Sequence, residues 1–353
     1  FAWEGASNGH PLRIEATTLR GHVTSFTTIA PWKNPVTNVG TTRSRTLVAR
    51  FGYAFGSLLL MSTLVIAAVL ARRNIRRGRG DRRGAFRVAT VVFCASLAYW
   101  MLRMRHATDL PNEWNELSLQ LALALFSAAS VWVFYMAAEP YLRRRWPRTL
   151  IAWNRLFAGR FDDPMVGRDL LIGIVAGAVF ATVHLASVLI VDALGVPIRI
   201  PWMQIWALNG LRTTLGTIAE AIEWSTGAAL TLAVFVLLLQ LVLRKRVVAL
   251  AVAAVLVAPI ITMAGNHGLI EVLVNIALAG MMMFVFARLG ILALCALLAT
   301  QSLLFSAALT LDPSSWYFAL GLVSVAPLVL GAAWGAWTAM AKQPVFRALV
   351  LEE

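Results

Sequence analysis

The stretch "FGYAFGSLLLMSTLVIAAVLA", residues 51–71, carries no charged side chain over about six helical turns. A helix of that length rises about 30 Å, the thickness of a bilayer's hydrocarbon core. Comparable runs recur along the 353 residues and predict spans at about 51–71, 86–102, 117–138, 170–191, 222–243, 247–264, 270–287, 289–309 and 316–340. Only 14% of residues are charged, against about 25% in soluble domains. Inside lipid the backbone must satisfy its own polar groups, and runs this long suit helices better than barrel strands. The predicted fold class is an all-α polytopic membrane protein of about nine transmembrane helices, with a short extracytoplasmic β-containing N-terminal segment.

Net charge is +14, which in a soluble protein would suggest nucleic acid. Here the arginines crowd between apolar runs, so no nucleic-acid partner is implied. "RRNIRRGRGDRRGAFR" (72–87) holds eight arginines against Asp81, "RRRWPRTLIAWNRLFAGRFDDPMVGRD" (143–169) holds seven, and "RKR" fills 244–246. Each follows an odd-numbered span, as do Arg288, Lys342 and Arg347. The alternate loops, 103–116, 192–221, 265–271 and 311–315, are less basic. The positive-inside rule then puts the basic loops and the C-terminus in the cytoplasm and residue 1 outside a bacterial inner membrane.

Residues 1–50 differ in character. Leu12, Ile14 and Ala16 alternate with Arg13, Glu15 and Thr17, followed by a turn near Arg20-Gly21 and a less regular return, which predicts a β-hairpin. Two strands alone are barely stable. The segment therefore reads as the C-terminal end of an extracytoplasmic domain, with residues 33–45 as polar linker. The chain opens at Phe1 without a methionine, and the expectation is a piece of a longer protein. Residues 51–353 form the helical transmembrane domain, with a basic amphipathic cytoplasmic loop at 139–169.

In that loop Trp146, Leu150, Trp153 and Phe157 are spaced by four, three and four, on one helical face. Arg143, Arg144, Arg145, Arg148 and Arg155 flank it. The pattern predicts a helix in the headgroup region, with aromatics dipping into lipid and arginines meeting anionic headgroups. Asp162, Asp163 and Pro164 are expected to stop it, and Asp169 to cap the next span. A plain topology loop and a docking platform for a cytoplasmic domain are the other readings.

Candidate chemistry is sparse. His184 lies inside the fourth span, and His267 and Glu271 are one helical turn apart. These three are the polar intramembrane candidates. A zinc site needs three or four ligands. "FATVH" resembles the F-x-x-x-H element of membrane-embedded CAAX-type proteases, but their E-E-x-x-x-R is absent and Glu220 and Glu223 are not adjacent. An embedded metalloprotease-like hydrolase is therefore the third reading. "GRGDRRG" (78–84) lacks the spacing and lysine of a phosphate loop, and there is no D-F-G or H-R-D. No catalytic, cofactor or metal residue is assigned. His184, Gln240, Asn275 and Gln301 are the polar groups a transport path could use. Gly173 and Gly177 form a G-x-x-x-G packing notch, and Cys94 and Cys295 read as buried small hydrophobes.

"FAWEG", "PLRIEATTLRGHVTSFTTIAPW", "AAEPYLRRRWPRTLIAWNRLFAGRFDDPMVGRDLLIG" and "NHGLIEV" together resemble the C-terminal region of certain bacterial membrane-bound serine/threonine protein kinases of the acidobacterial type. The pattern from Glu139 to Leu170 is the most specific part. The resemblance implies a cytoplasmic kinase domain upstream, using ATP and Mg, and a membrane region that anchors and senses. The partners expected are the bilayer with anionic headgroups, from the 139–169 pattern, the upstream kinase domain, from the resemblance, and a second copy of the chain. The alternative reading is a transporter-like or channel-like protein.

Overall fold

The structure is a computed structural model that describes residues 2–7, 10–19, 22–29, 47–104, 109–194, 206–262 and 269–340. The linker at 33–45, the turn at Arg20-Gly21 and His267 lie outside the described residues. The chain divides into two compact units, residues 1–54 and 55–353.

The first unit holds three antiparallel strands in the order β1-β2-β3: β1 (Ala2–Ser7), β2 (His10–Leu19) and β3 (His22–Ile29). Trp3 pairs with Ile14 and Leu19 with His22, and the ladder shifts register opposite Thr17/Thr18, where Thr24 is the extra residue on β3. Ala16 is buried and Arg13 exposed, as alternation along one strand requires.

Ten α-helices follow among the described residues: α1 (Leu47–Arg76), α2 (Arg82–Arg103), α3 (Leu110–Arg145), α4 (Arg148–Phe157), α5 (Pro164–Ala193), α6 (Leu211–Leu243), α7 (Arg246–Thr262), α8 (Leu269–Arg288), α9 (Ile291–Ser306) and α10 (Phe318–Met340). Six of them, α1, α2, α3, α5, α6 and α10, are long and apolar enough to cross a membrane, while α7, α8 and α9 are shorter apolar helices. The protein is a multi-pass helical membrane protein. Its outer surface agrees: Leu58, Val65 and Val69 on α1 and Leu322, Val329 and Leu330 on α10 are all exposed, and apolar surface of that extent suits lipid rather than water. Cys94 stands on that outer surface, contrary to the buried position expected for it, because it lies off the buried face of α2.

The fifth span begins earlier than hydropathy indicates. The segment 192–221 was expected to be a loop, yet α6 starts at Leu211. Gly210, at φ 111°, makes the turn, and the hydroxyls of Thr213 and Thr214 donate back to its carbonyl. These local bonds compensate for weak hydrophobicity in the first turns.

The core is centred on α9, which packs along α5 and α6 and also touches α4, α8 and α10. Ile291, Leu294, Leu297 and Leu298 on α9 are almost completely buried. The approach of α5 depends on glycine: a Cβ at Gly173 would lie 2.5 Å from the Ala293 carbonyl oxygen, and one at Gly177 would lie 2.6 Å from that of Leu297. Small residues at such a crossing let two backbones meet. A second glycine contact, Gly167 against Gly335, joins α5 to α10.

Gly173→Ala should therefore lower stability by about 1–3 kcal/mol through overpacking. Gly280→Ala, on a helical glycine with nothing within 4 Å of its added Cβ, should be neutral or stabilising by up to about 1 kcal/mol. Thermal unfolding in detergent compares the two; equal effects would refute the notch.

Candidate functional site

The turns joining α1 to α2, α3 to α5, α6 to α7 and α8 to α9 lie at one end of the helical unit. Direct contacts establish this: Asn74 reaches Met136, Arg87 reaches the Phe157 carbonyl, Arg246 reaches the Ala287 carbonyl at 2.6 Å, and Gly290 abuts Thr149. The arginine clusters are thus gathered at one basic end.

The short helix α4 organises that end and touches α2, α3, α5, α8 and α9. It is closed by Gly159 at φ 81°, whose N–H donates to Leu156 O while Arg160 N–H donates to Arg155 O. This is a Schellman ending. It, rather than Asp162, Asp163 and Pro164, stops the helix, because glycine alone enters the left-handed region without strain. Asp163 does different work. It accepts from Met165 N–H at the start of α5 and pairs with Arg155 at 2.7 Å. Asp169, expected as that cap, instead lies inside α5, nearly fully buried, paired with Arg168 at 2.9 Å.

The apolar face of α4 turns inward. Trp146, Leu150 and Trp153 are only 5%, 3% and 2% exposed, covered by the protein's own helices. Trp146 meets Phe286 edge-on at 5.6 Å and carries the Arg246 guanidinium 4.7 Å above its ring. Trp153 packs on Phe157 at 4.8 Å. The lipid contact expected for Trp146, Leu150 and Trp153 is therefore corrected to a core role. A face of that apolar character satisfies itself equally well against α8 and α9, and sequence periodicity does not distinguish the two. Leu156 and Phe157 are half-buried, and Arg143, Arg144, Arg145 and Arg148 stay exposed on the other side.

Polar contacts fix α4 in place. Tyr135 Oη donates to Asn154 Oδ1 at 3.1 Å. One turn along α3, the buried Glu139 pairs with Arg143 at 2.6 Å and accepts a backbone hydrogen bond from Asp81. Gly290, at φ 101°, lets the α8–α9 turn close on Thr149, where a Cβ would strike the Thr149 backbone.

The opposite end holds a cluster that sequence reasoning missed. Arg103 Nη1 donates to Glu220 Oε2 at 2.5 Å and to Tyr99 Oη at 2.8 Å, with its guanidinium 4.8 Å from the Tyr99 ring centre. Glu223, one turn further on α6, hydrogen-bonds Ser127. Arg212 donates to the Met101 and Met104 carbonyls and so caps α2. The available signal was two glutamates three apart beside an apolar run; placing Glu220 in a loop concealed it.

His184 on α5 is buried, hydrogen-bonds Asn275 of α8 and rests 5.3 Å from the Phe305 ring of α9. Gln301 shares the Phe305 face of α9, one turn earlier. Gln240 stands apart, in the last turn of α6. Glu271 falls in the first turn of α8. Among the described residues no three histidine, cysteine, aspartate or glutamate side chains converge to hold a metal.

The Arg103–Glu220 pair yields a double-mutant test. Arg103→Met alone leaves Glu220 without its cation in a mostly buried place and should cost about 3–5 kcal/mol. Arg103→Met with Glu220→Leu should recover most of that loss. Unfolding of the three variants decides it; additive losses would mean that the pair is not coupled.

Compared with protein-family models, curated proteins and solved structures, the chain matches none.

Proposed function

We propose that the chain is the anchor and sensor region of a bacterial membrane signalling protein of the serine/threonine kinase type. In this reading all nine apolar helices cross the inner membrane, with the basic end in the cytoplasm and the N-terminal strands outside. Arg143, Arg144, Arg145 and Arg148 meet anionic headgroups at a height fixed by α4. The catalytic domain, with its ATP and magnesium, belongs upstream in the same polypeptide, on the resemblance that runs from Glu139 to Leu170.

The observation that carries the reading is the gathering of arginine-rich turns at one end, around a helix held by its own tryptophans. Basic turns on one side favour a cytoplasmic location. An anionic leaflet attracts each such residue by about 1 kcal/mol. The exposed Trp114 and Trp316 at the far end and Trp337 near the basic end suit the two interfacial belts. The second reading, a transporter-like or channel-like protein, is favoured by the His184–Asn275 pair inside the bundle, since polar groups at depth mark pathways.

Single cysteines at Thr41, Arg79 and Arg148, in a Cys94→Ala, Cys295→Ala background, test the orientation. A membrane-impermeant thiol reagent on intact cells should label position 41 alone; labelling at 79 or 148 would reverse the topology. Membranes carrying the product of the whole reading frame should transfer phosphate from labelled ATP, and this chain alone should not. A long upstream frame without kinase motifs would move the transporter reading to first place.

A further inference from the structure

Pro140 lies inside α3, and a proline has no N–H to give the carbonyl four residues earlier. That carbonyl belongs to Met136. Its replacement donor comes from another helix: Asn74 Nδ2, in the last turn of α1, stands 2.9 Å from Met136 O and 3.4 Å from Ala137 O, with Asn74 buried. Among the described residues of α1, Asn74 is the one whose side chain hydrogen-bonds another helix. The other buried positions of α1, Thr63, Ala67 and Ala71, are small and spaced by four, and the Thr63 hydroxyl bonds within its own helix to Leu59 O. Leu59, Leu64, Leu70 and Ile75 pack half-buried beside them, but apolar contact is non-directional, so the directional hold on register comes from Asn74.

We infer that the Asn74–Pro140 junction is a register pin, through which displacement of α1 along its axis is passed to α4. Sliding α1 breaks one bond and leaves a buried carbonyl bare, so the junction has two discrete conditions, capped and uncapped. The stations that carry the change onward lie within five residues of α3. Tyr135, beside Met136, holds Asn154 of α4. Gly80, in the turn after α1, sits so close that a Cβ there would lie 2.8 Å from Met136 Cε. The next residue, Asp81, binds Glu139 through its backbone, and Glu139 holds Arg143. The end of α1, the α1–α2 turn, the proline of α3 and the platform helix therefore share one small set of contacts. α1 is also the helix that continues the chain from the strand-bearing unit into the helical unit. The inference deepens the anchor-and-sensor reading by naming how its platform is regulated, and it rests on that reading only for the role of α4.

The test is a double-mutant cycle in the full chain, reconstituted in bilayers open to reagent on both sides. Pro140→Ala restores the helical N–H to Met136 and makes Asn74 redundant. Asn74→Ala should lower the folded-to-unfolded ratio about fivefold or more in the Pro140 background and have little effect in the Pro140→Ala background. Equal losses in both backgrounds would overturn the pin. The transmission is read separately, from the rate at which a thiol reagent modifies an Arg148→Cys variant in the Cys94→Ala, Cys295→Ala background. That rate should change severalfold with Asn74→Ala and return toward its starting value with Asn74→Ala plus Pro140→Ala. An unchanged rate would make Asn74 a local cap and overturn the transmission. Neither measurement depends on which side of the membrane the basic end occupies, so failure here is distinct from failure of the topology.

Discussion

A carbonyl inside hydrocarbon has no water to turn to, and this constraint shapes the molecule more than any single contact. It makes the spanning elements helices, and it makes each interruption of a helix an event that needs a partner. Pro140 interrupts α3, and Asn74 answers from another helix. The end of α2 is exposed, and Arg212 reaches across to its carbonyls. Gly159 closes α4 with its own N–H groups. Asn74 and Arg212, polar residues at the ends of apolar helices, thus supply donors where the backbone has lost them.

A second constraint explains α4. A short helix of ten residues cannot stand alone in water. Burying Trp146, Leu150 and Trp153 between α3, α8 and α9 gives it stability from outside. That burial also turns the arginines of 143–148 outward. The charge of the segment sits on the last turn of α3 and the start of α4, and its oiliness on the buried side of the α3–α4 corner.

Hydropathy made the nine apolar helices legible, because a span needs only length and lack of charge. The weak start of α6 was not legible, since threonine hydroxyls and a glycine turn hold it where hydrophobicity is low. The direction of the α4 face was hidden for another reason. A tryptophan stripe has the same period whether it meets lipid or protein, and only the position of α8 and α9 decides. Asp163 took the capping role expected of Asp169 because capping depends on a residue's position relative to the first helical turn, which sequence locates within a few residues at best. β1 carries one large apolar side chain, Trp3, and offers no alternation to read. The Glu220 cluster needed knowledge of where α2 ends, which is a tertiary fact.

The helices differ widely in length. α3 has 36 residues and α6 has 33, while α7 has 17. At 1.5 Å per residue α7 rises about 25 Å, some 5 Å less than a typical hydrocarbon core. Val247 and Val255 on α7 are exposed at the bundle's surface. If α7 crosses the bilayer as proposed, lipids along that flank would have to thin to meet it, while those beside α3 would not. Hydrophobic mismatch of this kind costs fractions of a kcal/mol per Å, so on the proposed nine-span arrangement the flank that carries α7 would favour thinner membrane than the flank that carries α3.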